Sequence, residues 1–146
     1  GLRAGTENAA HAVGLGRAAD LAIASLAAGE SARLADLRDR LEARLRDLLP
    51  GRVHLNGHRT ERLPNTLNVR IDGVRALTLL AAVPSVAASA GSACHAGQDR
   101  PSPVLTAMGL GEREALTALR LSVGRWTTAE EIDSAAEAIA RAAAEA

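Results

Sequence analysis

Lysine, tyrosine and phenylalanine are absent from these 146 residues, and cysteine and tryptophan occur once each, as Cys94 and Trp126. With one aromatic side chain there is no stacking platform for the bases of a single-stranded nucleic acid. One cysteine excludes an internal disulfide and a multi-thiolate metal centre, which fits a reducing compartment. Charge of one sign is not in excess either. The 17 basic residues, all arginine, balance 17 acidic ones, so no overall field draws the chain to nucleic acid or to a basic partner. No apolar run is long enough to cross a bilayer, and no charged start precedes a secretory signal, so neither membrane nor export is expected and a cytoplasmic protein is. The first residue is Gly1 rather than an initiator methionine, which suggests a chain cut from something longer.

What is present is a 47% apolar composition, enough for one modest core. Thr6 followed by Glu7 and Asn8 suits the cap and first turn of a helix through the alanine-rich stretch to Ala28. Gly14 and Gly16 inside it would allow close packing against another backbone. Leucines at 34, 37, 41, 45 and 48 recur at helical spacing until Pro50-Gly51, predicting a second amphipathic helix, with or without a break from the first.

Beyond Gly51 the period becomes two. Val53 and Leu55, then Leu67, Val69 and Ile71, read as strands, each followed by a turn dipeptide, Asn56-Gly57 or Asp72-Gly73. A short helix over 76–82 stops at Pro84, and 85–90 reads as a third strand. Ser102 and Pro103 open another helix that Gly109 closes. Leu119, Leu121 and Val123 alternate as a further strand, and Thr128 with Glu131 makes a capping box for a helix through Ile132, Ala136, Ile139 and Ala143. The sum is an α+β domain with helices packed on one face of a small, mainly antiparallel sheet.

Three positions carry potential chemistry. Cys94 stands in a run of small residues, Ala90 to Gly97, between a strand and a helix. His95 and Arg100 nearby favour a thiolate, so it is either a mobile nucleophile or a small residue filling a tight turn. Its immediate neighbour His95 and the lack of a second thiol argue against a metal site. Arg120 alternates away from Leu119, Leu121 and Val123, on the same face as Ser122. It is either a fork for a carboxylate or an ordinary solvated arginine. Gly5-Thr6 at a helix start offers amides, a hydroxyl and a positive dipole end to a phosphate, or simply a cap. Asn65, Asn68, His11, His54 and His58 carry no assignment from spacing alone.

Taken in order, five stretches resemble the cysteine desulfurases of the NifS/IscS type and the selenocysteine lyases, within the class-V aminotransferase group of pyridoxal-phosphate enzymes. They are Gly1-Leu2-Arg3-Ala4-Gly5-Thr6-Glu7-Asn8; Leu63-Pro64-Asn65-Thr66-Leu67-Asn68-Val69; Ala90-Gly91-Ser92-Ala93-Cys94; Pro103 to Leu110; and Leu119-Arg120-Leu121-Ser122-Val123-Gly124-Arg125-Trp126-Thr127-Thr128. The resemblance implies the small C-terminal domain of a fold-type I enzyme, residues 30–146, preceded by a connecting helix, residues 1–29, from a large domain. It implies that Cys94 takes sulfur or selenium from L-cysteine or selenocysteine as a persulfide-type adduct, leaving alanine. By the same resemblance Arg120 binds the substrate carboxylate, and Thr6 contacts the pyridoxal phosphate of the neighbouring subunit of a homodimer. The family passes sulfur to acceptor proteins, as in iron-sulfur cluster assembly. Cys94-His95 with Pro101-Ser102-Pro103 leans toward the lyases and Gly91-Ser92-Ala93-Cys94 toward the desulfurases. The cofactor is held on a lysine, and none exists here, so the chain alone is expected to be inactive. A non-catalytic sulfur-relay module and a structural domain with a buried Cys94 are the competing expectations.

Overall fold

The computed structural model describes residues 4–91 and 100–146. The first helix, α1, runs Ala9–Ala27 and buries none of its side chains. Its N-cap is Asn8, whose Oδ1 accepts the His11 amide at 3.1 Å, so Thr6 lies outside the helix and does not cap it. The Asn8 side-chain oxygen reaches the amide three residues on, and residues 4–7 before it are exposed. Gly14 and Gly16 have no atom within 4 Å of where a Cβ would stand, so no described segment uses the close approach they permit.

Gly29, at φ 87°, takes the left-handed conformation that glycine adopts without steric cost, and the chain turns there by 72° into α2, Glu30–Leu48. The two helices are therefore separate. No single helix among the described residues is long and apolar enough to cross a membrane. Helix α2 buries Leu37, Leu41 and Leu45. The stripe then passes to Leu49 rather than Leu48, which is 38% exposed. The helix ends at Leu48, and the C-cap Leu49, at φ −127° and ψ 66°, leaves the helical path and is buried in the core.

Strands β1 (Val53–Leu55), β2 (Thr66–Ile71) and β3 (Ala118–Ser122) form one antiparallel sheet in the order β1-β2-β3. In β2 the side chains alternate, with Leu67, Val69 and Ile71 buried, and in β3 Leu119 and Leu121 face the same way. That inner face meets α2 and the last helix, α6 (Ala129–Glu145), which presents Ile132, Ala136, Ile139, Ala140 and Ala143. Each large apolar side chain buried there contributes roughly 2 kcal/mol. Thr128 Oγ1 accepts the Glu131 amide at 3.2 Å, and Glu131 Oε2 accepts the Thr128 amide at 2.9 Å, forming the expected capping box. Arg33 ties this start of α6 to α2 by donating to the carbonyls of Gly124, Arg125 and Thr127.

Helix α3, Ala76–Ala82, closes the core with Leu79. The expected strand over 85–90 does not form. Its one ladder contact is Ser89, bridged to Arg120. Pro84 lacks an amide donor, and the small side chains that follow, half-buried or exposed, have too little apolar surface to hold a pleated pairing. Two short helices, α4 (Pro103–Ala107) and α5 (Glu112–Ala115), set Leu105 and Ala115 against Ala118 in a second, small apolar cluster. Ala118 belongs to the opposite face of β3 from Leu119, so this cluster braces one end of the sheet's outer face.

Candidate active site on the outer face of the sheet

The alternation that buries Leu119 and Leu121 leaves Arg120 and Ser122 exposed on the outer face, as the sequence period implies. Arg120 has two backbone neighbours. On one side it is registered with Asn68 of β2. On the other its amide donates to Ser89 O at 2.7 Å and its carbonyl accepts the Ser89 amide at 3.1 Å. Ser89 Oγ donates to Gly91 O at 2.5 Å and accepts the Gly91 amide at 3.2 Å, a local turn at the point where the chain leaves the sheet.

Cys94 lies outside the described residues, five positions beyond Ser89. The two stems of its segment are described. Gly91 on one side and Ser102 on the other line a cavity of about 190 Å³, together with Asn68, Ala90, Val104, Leu105, Ala118 and Arg120. The fold thus brings Arg120 and both ends of the Cys94 segment to one cavity. The Arg120 side chain has no hydrogen bond or ion pair among the described residues, so its fork of donors is available to a ligand. Arg100, invoked beside Cys94, is exposed.

Thr6 is exposed, before α1 and away from this cavity's lining. Two of the histidines have other occupations. His54 Nε2 contacts Asp72 at 2.8 Å, and His58 Nδ1 accepts the amides of Thr60 and Glu61, shaping a turn.

Sequence reasoning missed Asn68 and the polar row behind it. Arg70 donates to Asn56 Oδ1 at 2.6 Å, and Asn56 Nδ2 donates to Asn68 Oδ1 at 2.7 Å. Asn56 is buried, with 8% of its surface exposed. The signal was present as the spacing of two, since Asn68 and Arg70 are the outward positions of β2 between Leu67, Val69 and Ile71.

Comparison with known proteins defines the class. Residues 1–134 match the aminotransferase class-V family. A cysteine desulfurase from Frankia sp. (strain EuIK1) is 49% identical over 142 residues, 97% of this chain and 34% of its own length. A selenocysteine lyase from Rattus norvegicus is 45% identical over 137 residues, 90% of this chain and 32% of its own. The crystal structure of a NifS-like protein from Rickettsia africae superposes with a TM-score of 0.80 at 29% identity, over 96% of this chain and 36% of that one. The chain belongs to the aminotransferase class-V family, with a NifS-like fold. It spans about a third of the length of the relatives it matches.

Proposed function

We propose that this chain is the C-terminal part of a pyridoxal-phosphate-dependent cysteine desulfurase and supplies its sulfur-accepting thiol, Cys94, and its carboxylate-binding arginine, Arg120. The observation that carries the reading is the shared cavity, which Arg120 lines together with both stems of the Cys94 segment. A guanidinium binds a carboxylate through two parallel hydrogen bonds and keeps its charge at every relevant pH. A cysteine in a run of small residues can be carried to a substrate held there.

The residues of this chain do not fit pyridoxal phosphate as a complete site, because no lysine is present to hold it as an imine. The cofactor's attachment belongs to polypeptide beyond these residues, in the large domain, with 1–29 as connection and 30–146 as small domain. When bound, the cofactor supplies an electron sink. Thr6, exposed and without a hydrogen bond among the described residues, is proposed as a phosphate contact toward the neighbouring subunit of a homodimer.

In the reaction the Cys94 thiolate forms an S–S bond to the sulfur of L-cysteine while the substrate's Cβ–S bond breaks. The electron pair stays with the carbon, which a proton converts to the methyl group of alanine. The persulfide left on Cys94 passes to an acceptor protein in the cytoplasm, and the isolated chain is inactive. Selenocysteine is the alternative substrate, favoured by the 45% identity to a selenocysteine lyase.

The test uses the longer protein loaded with pyridoxal phosphate. Cys94→Ala is expected to abolish the 32-Da persulfide adduct and reduce alanine release from L-cysteine by at least about a hundredfold, the scale of losing a nucleophile. Undiminished alanine release in that variant would defeat the assignment.

A further inference from the structure

We infer that Asn68 is a second hydrogen-bond donor to the substrate carboxylate, its orientation imposed by Arg70 through Asn56. The inference rests on the proposed role of Arg120 and deepens it.

The argument follows donors and acceptors along the outer face of the sheet. A guanidinium has only donors, so the atom of Asn56 that meets Arg70 at 2.6 Å has to be its carbonyl oxygen. The amide group of Asn56 then points at Asn68, and the atom it meets at 2.7 Å has to be an acceptor, the Asn68 Oδ1. An asparagine on a free surface can turn its amide over, whereas here each flip would bring donor against donor. Asn56 is buried, so water cannot relieve such a clash. With Oδ1 committed, Asn68 Nδ2 is left over. It has no hydrogen-bond partner among the described residues.

Asn68 is the registered partner of Arg120 across the β2–β3 ladder, and both line the cavity between the stems of the Cys94 segment. Directly opposed residues on one face lie about 5 Å apart at Cβ. That spacing lets one carboxylate bridge the guanidinium fork and the Asn68 amide. The pair presents donors only, which favours a carboxylate over an amide or an ester. The relay therefore sets substrate class: an α-amino acid with a free carboxylate.

Three variants of the longer, cofactor-loaded protein test this with L-cysteine and L-cysteinamide. Asn68→Ala removes the donor. Asn56→Asp replaces the buried amide with two acceptors, which still meets Arg70 but turns Asn68 over, so that Oδ1 faces the cavity without any cavity-lining residue being changed. Each is expected to raise KM for L-cysteine about tenfold, the effect of losing one hydrogen bond to a charged group, with kcat and thermal midpoint nearly unchanged. Asn56→Asp should also erase much of the preference for L-cysteine over L-cysteinamide, a result that loosened packing would not produce. Arg120→Gln is the reference. If it raises KM while both asparagine variants leave KM and the preference unaltered, Asn68 is not a substrate donor and the Arg120 reading survives. If Arg120→Gln leaves KM unaltered, the reading of the cavity fails and this inference with it.

Discussion

Asp133 on α6 accepts two hydrogen bonds from Arg40 on α2, Nε to Oδ1 at 2.9 Å and Nη2 to Oδ2 at 2.6 Å. That bidentate contact, helped by the charges of Arg40 and Arg44 and opposed by partial desolvation, holds the Asp133 carboxyl below its ordinary value. A carboxyl depressed on folding stabilises the native state above its unfolded pKa of about 3.9 and loses that contribution as pH falls through the lower folded value. Asp133→Asn is therefore expected to lower stability at pH 7, with the gap beginning to close as pH drops past about 4 and vanishing only below the lower folded value; parallel urea titrations across that range check it, and a gap constant with pH would contradict it. At the same scale, the outward position of Arg120 was legible because a strand's period is two. The role proposed for Asn68 was not, because it rests on the contact with Asn56, twelve positions away, and no periodicity links the two. Thr6 was misread as a cap because a threonine and an asparagine two positions apart both satisfy the cap preference, and local geometry chose Asn8.

Among the elements, α6 was the most readable, since its cap, first-turn Glu130 and Glu131 and apolar stripe all agree. Thr128→Ala removes the oxygen that accepts the Glu131 amide and is expected to cost about 1 kcal/mol in chemical denaturation; Thr128→Ser should restore most of it. Helix α2 and strands β1 to β3 were equally visible as periodic patterns. Segment 85–90 was not, because its composition admits a strand while only tertiary pairing decides whether one forms. β3 uses its free edge on a single residue, Ser89, and releases the chain toward Cys94.

For the whole molecule, the core under the sheet is complete while α1 is not part of it. Val13, Leu15, Ile23 and Leu26 are each more than 60% exposed. Isolated apolar residues on a surface are ordinary, but four large ones on a single 19-residue helix that buries nothing are apolar surface open to a partner. Hydrogen exchange of the 146-residue chain is expected to label α1 well before α6, and within the longer protein proposed above α1 should be protected. Equal protection of the two helices in the short chain would show that α1 is held without further polypeptide.

The sequence by itself determined the α+β class, the periodic elements α2, α6 and β1 to β3, the face on which Arg120 stands and the family, because these follow from local periodicity, caps and contiguous motifs. The bend at Gly29, the withdrawal of residues 85–90 from the sheet and the meeting of Asn68, Arg120 and both stems of the Cys94 segment were decided by tertiary structure alone. Each depends on contacts or chain directions between residues far apart in sequence, and such pairings leave no local pattern to read.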